Sequence, residues 1–391
     1  MRGVLSTFGR LSPWFLLVPL GVLLGFLAFV WQRLAVAPGW QPRWVRWAVA
    51  GVLVVLTALA LAGFDVWGGW FTPAQLRPAV WVGQAFLATC FYLFLGLVPV
   101  WLACVGIWLA RRRHGHGVLG RRRLNRVASP LVAVVAIGLT AYGALEAAHP
   151  SVTRFAVASP ELPTQFDGMR VALITDLHAG AVRSASFTRQ VVDLVNEQHP
   201  DLVVIAGDTV DGTAARYAAE IAPLAELEAP LGIYATTGNH EMFRDTAGWL
   251  AAFEDVGLTL LANRAVPLQR DGATITLAGI HDLVGEGPWA PDVDAALGST
   301  DAGAFTLFVA HQPLAALDVE GRGVDLQLSG HTHGGQLWPI DYLVPLEQPM
   351  LEGRATVAGT TVVTSRGAGE WGPPVRVAAP PEVPIITLRR S

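Results

Sequence analysis

The chain has 391 residues, room for more than one domain, and 52% of them are hydrophobic. A net charge of −4 conceals an asymmetry: thirteen of the 27 arginines and only two acidic residues, Asp65 and Glu146, fall before residue 150. The remainder is therefore strongly acidic, which excludes a binder of phosphate backbones, because basic side chains supply most of that affinity; no nucleic-acid partner is expected.

In chain order, four stretches approach the ~20 apolar residues needed to cross a bilayer. They run over 13–31, 47–66, 80–110 and 130–148, predicting an all-α transmembrane region of about four helices within residues 1–150. Trp14, Trp31, Trp44, Trp47, Trp67, Trp70, Trp81 and Trp108 stand near the ends of these spans, as an interfacial aromatic belt would. The first span is too long, and lacks a small-x-small site before Gln32-Arg33, for a cleaved secretory signal. Arginine sets the orientation: seven lie in 111–126, and Arg33, Arg43 and Arg46 lie in the first connection. The second connection has only Arg77 and the amino terminus only Arg2 and Arg10. With the two rich loops inside, both termini fall outside, giving a multi-pass protein of a bacterial cell membrane whose polar half is extracytoplasmic. Cys90 and Cys104 share one apolar segment; as a helix it holds them roughly 21 Å apart, too far for a disulfide.

Residues 151–391 read as a separate α/β domain. A prolyl linker with an edge strand near 152–158 precedes the buried run Val171-Ala172-Leu173-Ile174, which leads to Asp176 and His178. In an extended backbone, residues two apart point the same way, so both side chains are expected on one face. A helical pattern over 184–198, with Ser184 as a plausible cap, separates this strand from a second, Leu202-Val203-Val204-Ile205-Ala206. That strand ends in Gly207-Asp208, and Asp211 follows as either a supporting carboxylate or a helix cap. A third strand over 232–237 ends in Gly238-Asn239-His240-Glu241. Next come a helix (247–253), strands near 258–261 and 275–278, and His281, which is placed to face the site or merely to pack. Further strands over 305–310 and 325–328 end in His311 and in Gly330-His331-Thr332-His333. Closing strands span 360–365 and 385–388, with Pro384 expected as a first strand residue; Arg366 between them either meets a phosphate oxygen or is solvated.

Open α/β sheets present their sites at the carboxyl ends of strands, and here successive strands end in ligand-type side chains. Asp176, His178, Asp208, Asn239, His311, His331 and His333 mix oxygen and nitrogen donors, which suits Mn²⁺, Zn²⁺, Fe or Co²⁺ better than Ca²⁺ or Mg²⁺. So many donors favour two divalent ions over one. Such a pair makes hydroxide available near neutral pH and neutralises a phosphoryl group, while His240 beside it is free to protonate a leaving oxygen.

The order Asp176-x-His178, Gly207-Asp208-x-x-Asp211, Gly238-Asn239-His240-Glu241, His311 and Gly330-His331-x-His333 resembles the calcineurin-like metallophosphoesterase superfamily, in particular its membrane-associated bacterial branch. The resemblance covers about residue 168 onward and implies a four-layer αββα sandwich. It implies one metal on Asp176, His178 and His333, the other on Asn239, His311 and His331, Asp208 bridging, and His240 acting on the leaving group. Asp211, Glu241, His281 and Arg366 are then candidates for support or substrate contact. The expectation is a membrane-anchored phosphoesterase acting on a phosphodiester, pyrophosphate or phosphomonoester of a lipid or envelope component. Two other readings stand beside it: a sensor or transporter with an appended phosphoesterase, and a non-catalytic, metal-bound binding module.

Overall fold

The computed structural model describes residues 13–62, 70–111, 117–298 and 303–391. The chain divides into two compact units, Met1–Ala144 and Leu145–Ser391.

The first unit is helical. Helix α1 (Pro13–Trp31) runs on through a π-turn (Gln32–Val36), followed by α2 (Trp44–Ala62), α3 (Pro73–Arg111) and α4 (Gly117–Ala147). Three stretches, Trp44–Leu61, Pro73–Ala110 and Leu119–Ala147, are long and apolar enough to cross a membrane; Gly21–Val36 is a shorter apolar helix. Valines and leucines such as Val52, Leu102 and Val134 point outward from the bundle, as lipid-facing helices require. Two expected boundaries were too late: α3 starts at Pro73 rather than 80, and α4 at Gly117 rather than 130. The reason is that Pro78 and Pro130 sit inside these helices without breaking them, which neighbouring membrane helices permit. Arg2, Arg10, Arg112, Arg113, Trp67, the end of the second span (63–66) and the side chain of Trp14 lie outside the described residues.

The second unit opens with β1 (Ser151–Ser159), β2 (Arg170–Ile174), α5 (Ala185–Asn196), β3 (Leu202–Ala206) and β4 (Ile233–Thr236). It continues through α6 (Asn239–Phe243), α7 (Thr246–Asp255), β5 (Thr259–Leu260), β6 (Arg264–Arg270), β7 (Ala273–Gly279) and α8 (Val293–Leu297). Strands β8 (Thr306–Val309), β9 (Leu326–Ser329), β10 (Gly353–Val357), β11 (Thr360–Thr364) and β12 (Glu382–Arg390) complete it. They form two six-stranded mixed sheets, ordered β1-β12-β2-β3-β4-β5 and β10-β11-β9-β8-β7-β6.

Side-chain alternation makes the layers. Val171, Leu173, Leu202 and Val204 point into the space between the sheets, meeting Leu277, Leu307, Leu326 and Val363. Their neighbours Ala172, Ile174, Val203 and Ile205 point the other way, onto Val191, Val195, Trp249 and Phe253 of α5 and α7. Phe308 and Ala278 cover the far face of the second sheet with Ala296 and Leu297 of α8. The result is the expected helix–sheet–sheet–helix sandwich. Pro384 does not open β12, which begins at Glu382; pairing with β2 starts only at Ile385, so the missing N–H interrupts no bond to that neighbour.

Candidate metal centre

The strands β2, β3 and β4 run parallel, as do β7, β8 and β9, so their carboxyl-terminal loops gather at one end of each sheet. Asp176 and His178 follow β2, Asp208 follows β3, Asn239 and His240 follow β4, His311 follows β8, and His331 and His333 follow β9. The extended backbone expected around Asp176 and His178 is absent. Asp176, His178, Asp208, His331 and His333 all adopt left-handed backbone, with φ of 53°, 48°, 49°, 73° and 52°. Such a conformation costs a non-glycine residue roughly 1–2 kcal/mol, and here it turns each side chain inward. Backbone hydrogen bonds hold it: Asp176 N–H donates to Gly207 O (3.1 Å), His178 N–H to Asp208 O (3.1 Å), and Gly369 N–H to Asp176 O (2.8 Å). Gly207 is needed for the same packing, because with φ of 86° a Cβ there would fall 2.5 Å from Gly238 N and 2.9 Å from His311 Nδ1.

Among the described residues the donor atoms converge in three overlapping groups, Asp176, His178 and His333; His178, Asp208 and His240; and Asp208, His311 and His331. In the first, His333 Nε2 lies 3.2 Å from Asp176 Oδ1 and 3.2 Å from His178 Nε2. In the third, His331 Nδ1 lies 3.0 Å from Asn239 Oδ1 and 3.3 Å from His311 Nε2. One oxygen, Asp208 Oδ2, links the groups, 3.9 Å from His178 Nε2 and 3.2 Å from His311 Nε2. His240 flanks this oxygen, its Nε2 4.0 Å away.

The tautomers follow from the outer nitrogens. His178 Nδ1–H donates to Asp211 Oδ1 (3.0 Å) and His311 Nδ1–H to the carbonyl of Ala206 (2.8 Å). Both Nε2 atoms therefore face inward, toward other buried nitrogens and carboxylates, where a cation would be drawn. The donor set fits two divalent ions. Charge reinforces this. Burial opposes ionisation of Asp208, yet His311, with His240 and His178, holds its carboxyl well below the usual carboxylate range. Burial, together with the neighbouring His178 and Arg376, holds His333 well below the usual imidazole range, leaving it a neutral donor.

Around the donors, Asp211 supports two histidines at once, since its Oδ1 also lies 2.6 Å from His240 Nδ1. Glu241 is fully buried and accepts N–H groups from Asp208 (3.0 Å), Thr209 (2.8 Å) and Gly238 (2.6 Å), tying the loop after β3 to the loop after β4. Burial and the charge of Asp208 push its carboxyl up to about 7, against the hydrogen bond from Gly238 and the charges of His311 and His240. His281 is buried beside Thr237, its Nδ1 3.1 Å from the hydroxyl, and does not belong to the clustered donors among the described residues. Arg366 is engaged by carboxylates, donating to Glu382 (2.8 Å) and Glu352 (3.3 Å).

Arg376 was not anticipated. It is fully buried and donates to the carbonyls of His333 (3.1 Å), Ala379 (2.9 Å), Arg366 (2.7 Å) and Gly369 (2.9 Å). The one sequence signal was an arginine flanked by valines in a run of prolines and alanines.

Residues 169–335 match the family model described as calcineurin-like phosphoesterase. YkuE of Bacillus subtilis, a metallophosphoesterase, is 30% identical over 292 residues, covering 72% of this chain and 99% of YkuE. The chain belongs to the calcineurin-like metallophosphoesterase family. This metallophosphoesterase is also 35% identical over 224 residues to one from Helicobacter pylori strain J99, covering 56% of this chain and 60% of that one. Against the zebrafish transmembrane protein with metallophosphoesterase domain, it is 34% identical over 273 residues, covering 67% of this chain and 62% of the relative. The match thus spans less than two thirds of the length of these last two relatives. What the metallophosphoesterase combines is a phosphoesterase domain, candidate metal-binding residues and an apolar helical region of transmembrane type.

Proposed function

We propose that residues 1–150 anchor the protein in a bacterial cell membrane and that residues 151–391 hydrolyse a phosphate ester outside the cytoplasm with two divalent ions. The observation that carries this reading is the sharing of Asp208 Oδ2 between two groups of inward-pointing donors. Asp176, His178 and His333 would hold one ion and Asn239, His311 and His331 the other, with Asp208 between them. When bound, the ions supply an activated water and neutralise phosphoryl charge.

The chain's own residues do the rest. Asp211 accepts the Nδ1–H of His240 and stabilises its imidazolium, which presents Nε2–H to the departing oxygen. As the bond from phosphorus to that oxygen breaks, the proton passes from Nε2 to the leaving group. His240 is partly open to solvent, so a substrate can reach it. Glu241 and Arg376 position the loops that carry the donors.

One apolar side chain beside the candidate proton donor, with further exposed aromatics on the loops that follow the donors, supports a lipid or envelope substrate. Phe243, whose ring packs 5.1 Å from that of His240, is 50% exposed, and Trp371, hydrogen-bonded to Gln336, is 60% exposed. Trp338 and Tyr342, exposed by 48% and 71%, directly follow the last histidine motif. An intact donor set and proton donor also favour an enzyme over a binding module.

The test is to strip the full-length protein of metal in detergent and reload it with Mn²⁺, Zn²⁺, Co²⁺ or Fe²⁺. Each form is assayed on bis-p-nitrophenyl phosphate and p-nitrophenyl phosphate. Metal-dependent turnover is expected, and the ratio of rates tells diester from monoester preference. Two ions bound per chain without turnover on these esters or on phosphatidic acid and phosphatidylglycerol would overturn the reading.

A further inference from the structure

The helical unit contains a cavity of about 360 Å³, lined by Arg33 and Gln32 after α1, Trp101 and Trp108 near the end of α3, and Arg121, Arg122 and Asn125 at the start of α4. Arg33 is only 5% exposed. One of its terminal nitrogens donates to Asn125 Oδ1 (2.6 Å), while its Nε is buried with no hydrogen-bond partner. Asn125 is fixed in turn by donating to the carbonyl of Arg121 (2.7 Å) and to Cys104 Sγ (3.0 Å). Arg122 lies over the turn at Gly39, where φ is 70° and a Cβ would stand 2.8 Å from its Nε.

The guanidinium groups of Arg33 and Arg122 thus line one concave space, and no acidic residue occurs among the described residues of this unit. Keeping such charges beside apolar helices is costly unless an anion or water compensates. Their position is informative. They sit where α1 and α3 end and α4 begins, at the limits of the apolar spans, with two tryptophans alongside. That is the depth of lipid headgroups, where indole rings accumulate and basic pockets between helices take phosphate.

We propose that this cavity binds the phosphate of an anionic membrane phospholipid, with Arg33 and Arg122 as its principal contacts. The site is separate from the metal centre, and nothing in the phosphoesterase reaction requires it. The shared chemistry is a phosphate oxyanion; the apolar helices on either side favour a lipid as its source over free phosphate.

The experiment uses the full-length protein in detergent, titrated with phosphatidylglycerol, phosphatidylcholine or inorganic phosphate and read by native mass spectrometry. One phosphatidylglycerol per chain is expected to be retained at least about tenfold better than phosphatidylcholine, the scale of losing one charged hydrogen bond. Arg33→Gln and Arg122→Gln should each erase that preference. Arg123→Gln, an equal charge change at an exposed residue outside the cavity lining, should leave it intact. Because Arg122 is itself exposed, its variant stays informative where Arg33→Gln fails to fold. Equal retention of both lipids, or a preference that survives in Arg122→Gln, overturns the proposal. Saturable binding of inorganic phosphate that excludes phosphatidylglycerol would assign the cavity to free phosphate and overturn the lipid source.

Discussion

Oδ1 of Asp211 lies 2.6 Å from Nδ1 of His240, and that same oxygen accepts the Nδ1–H of His178 at 3.0 Å. One carboxylate therefore sets the ring orientation of both a candidate metal ligand and the candidate proton donor. Asp211→Asn should lower turnover by about 10–100-fold, the range seen when the outer partner of a metal-ligating histidine is removed. The informative readout is a double-mutant cycle. Added to His240→Ala, the change should cost much less, leaving only its effect on metal affinity through His178. Full additivity of the two losses would separate Asp211 from His240.

His240 itself should matter in proportion to how badly the leaving group needs a proton. Its Nε2 stands 4.0 Å from the shared oxygen of Asp208, adjacent to the donors rather than one of the two groups of ligands proposed here. His240→Ala is expected to keep both metals, measured by elemental analysis, and to slow turnover of alkyl esters by about 10²–10⁴-fold. The loss should be smaller for p-nitrophenyl esters, whose leaving group departs without protonation. Equal losses on both substrates would make His240 a structural residue.

Asp208→Asn probes the other side of the same oxygen. The amide keeps the volume but removes the one negative charge common to both donor groups, which burial makes expensive to hold without cations. Metal content and activity should fall together, with bound metal dropping from two ions to one or none. A variant that retains two ions would show that Asp208 does not bridge.

The donor residues were legible because each follows an apolar strand at a fixed short distance, and strand ends are where such sheets gather ligands. How they converge was not legible. Alternation along a strand suggested one face for Asp176 and His178, whereas both reach the centre through left-handed backbone after β2 has ended. Strands β6 and β10 escaped location because they are edge elements with at most one buried residue each, and so lack the alternation that marks a half-buried strand. Glu241 was visible as a motif residue, but besides Gly238 its partners Thr209 and Asp208 lie 32 and 33 positions away in sequence. Arg376 is a mixed case, since most of the carbonyls it collects lie in its own connection between β11 and β12, within ten residues, and only that of His333 comes from another loop.

That assembly makes Arg376 a stability test. The buried guanidinium serves five carbonyl acceptors, of which those of His333 and Gly367 keep a backbone N–H partner, so Arg376→Met strands the remainder and should cost at least about 1–3 kcal/mol, read by chemical denaturation. Arg376→Lys should rescue little, because one ammonium cannot span the spread of a planar fork. Metal affinity should weaken as well, since the His333 carbonyl and the loop carrying it lose their anchor. A variant as stable as the parent would mean that the carbonyls find water instead.

The orientation of the second unit rests on arginine, and the helical unit adds a constraint to it. Arg33 donates to Asn125 and Arg126 donates to the carbonyl of Pro38 (2.9 Å), so the two arginine-rich connections lie together at one end of the bundle. Both then share one side of the membrane, and the positive-inside tendency makes that side cytoplasmic. In the orientation proposed here, α4 then crosses once and everything after residue 151 lies outside. Alkaline phosphatase fused after Ser391 should be active in cells, and a fluorescent protein that matures only in the cytoplasm should stay dark at the same position. Fusions within 112–116 should give the opposite pattern. A bright cytoplasmic reporter after Ser391 would reverse the orientation, and the argument for an envelope substrate would fall with it.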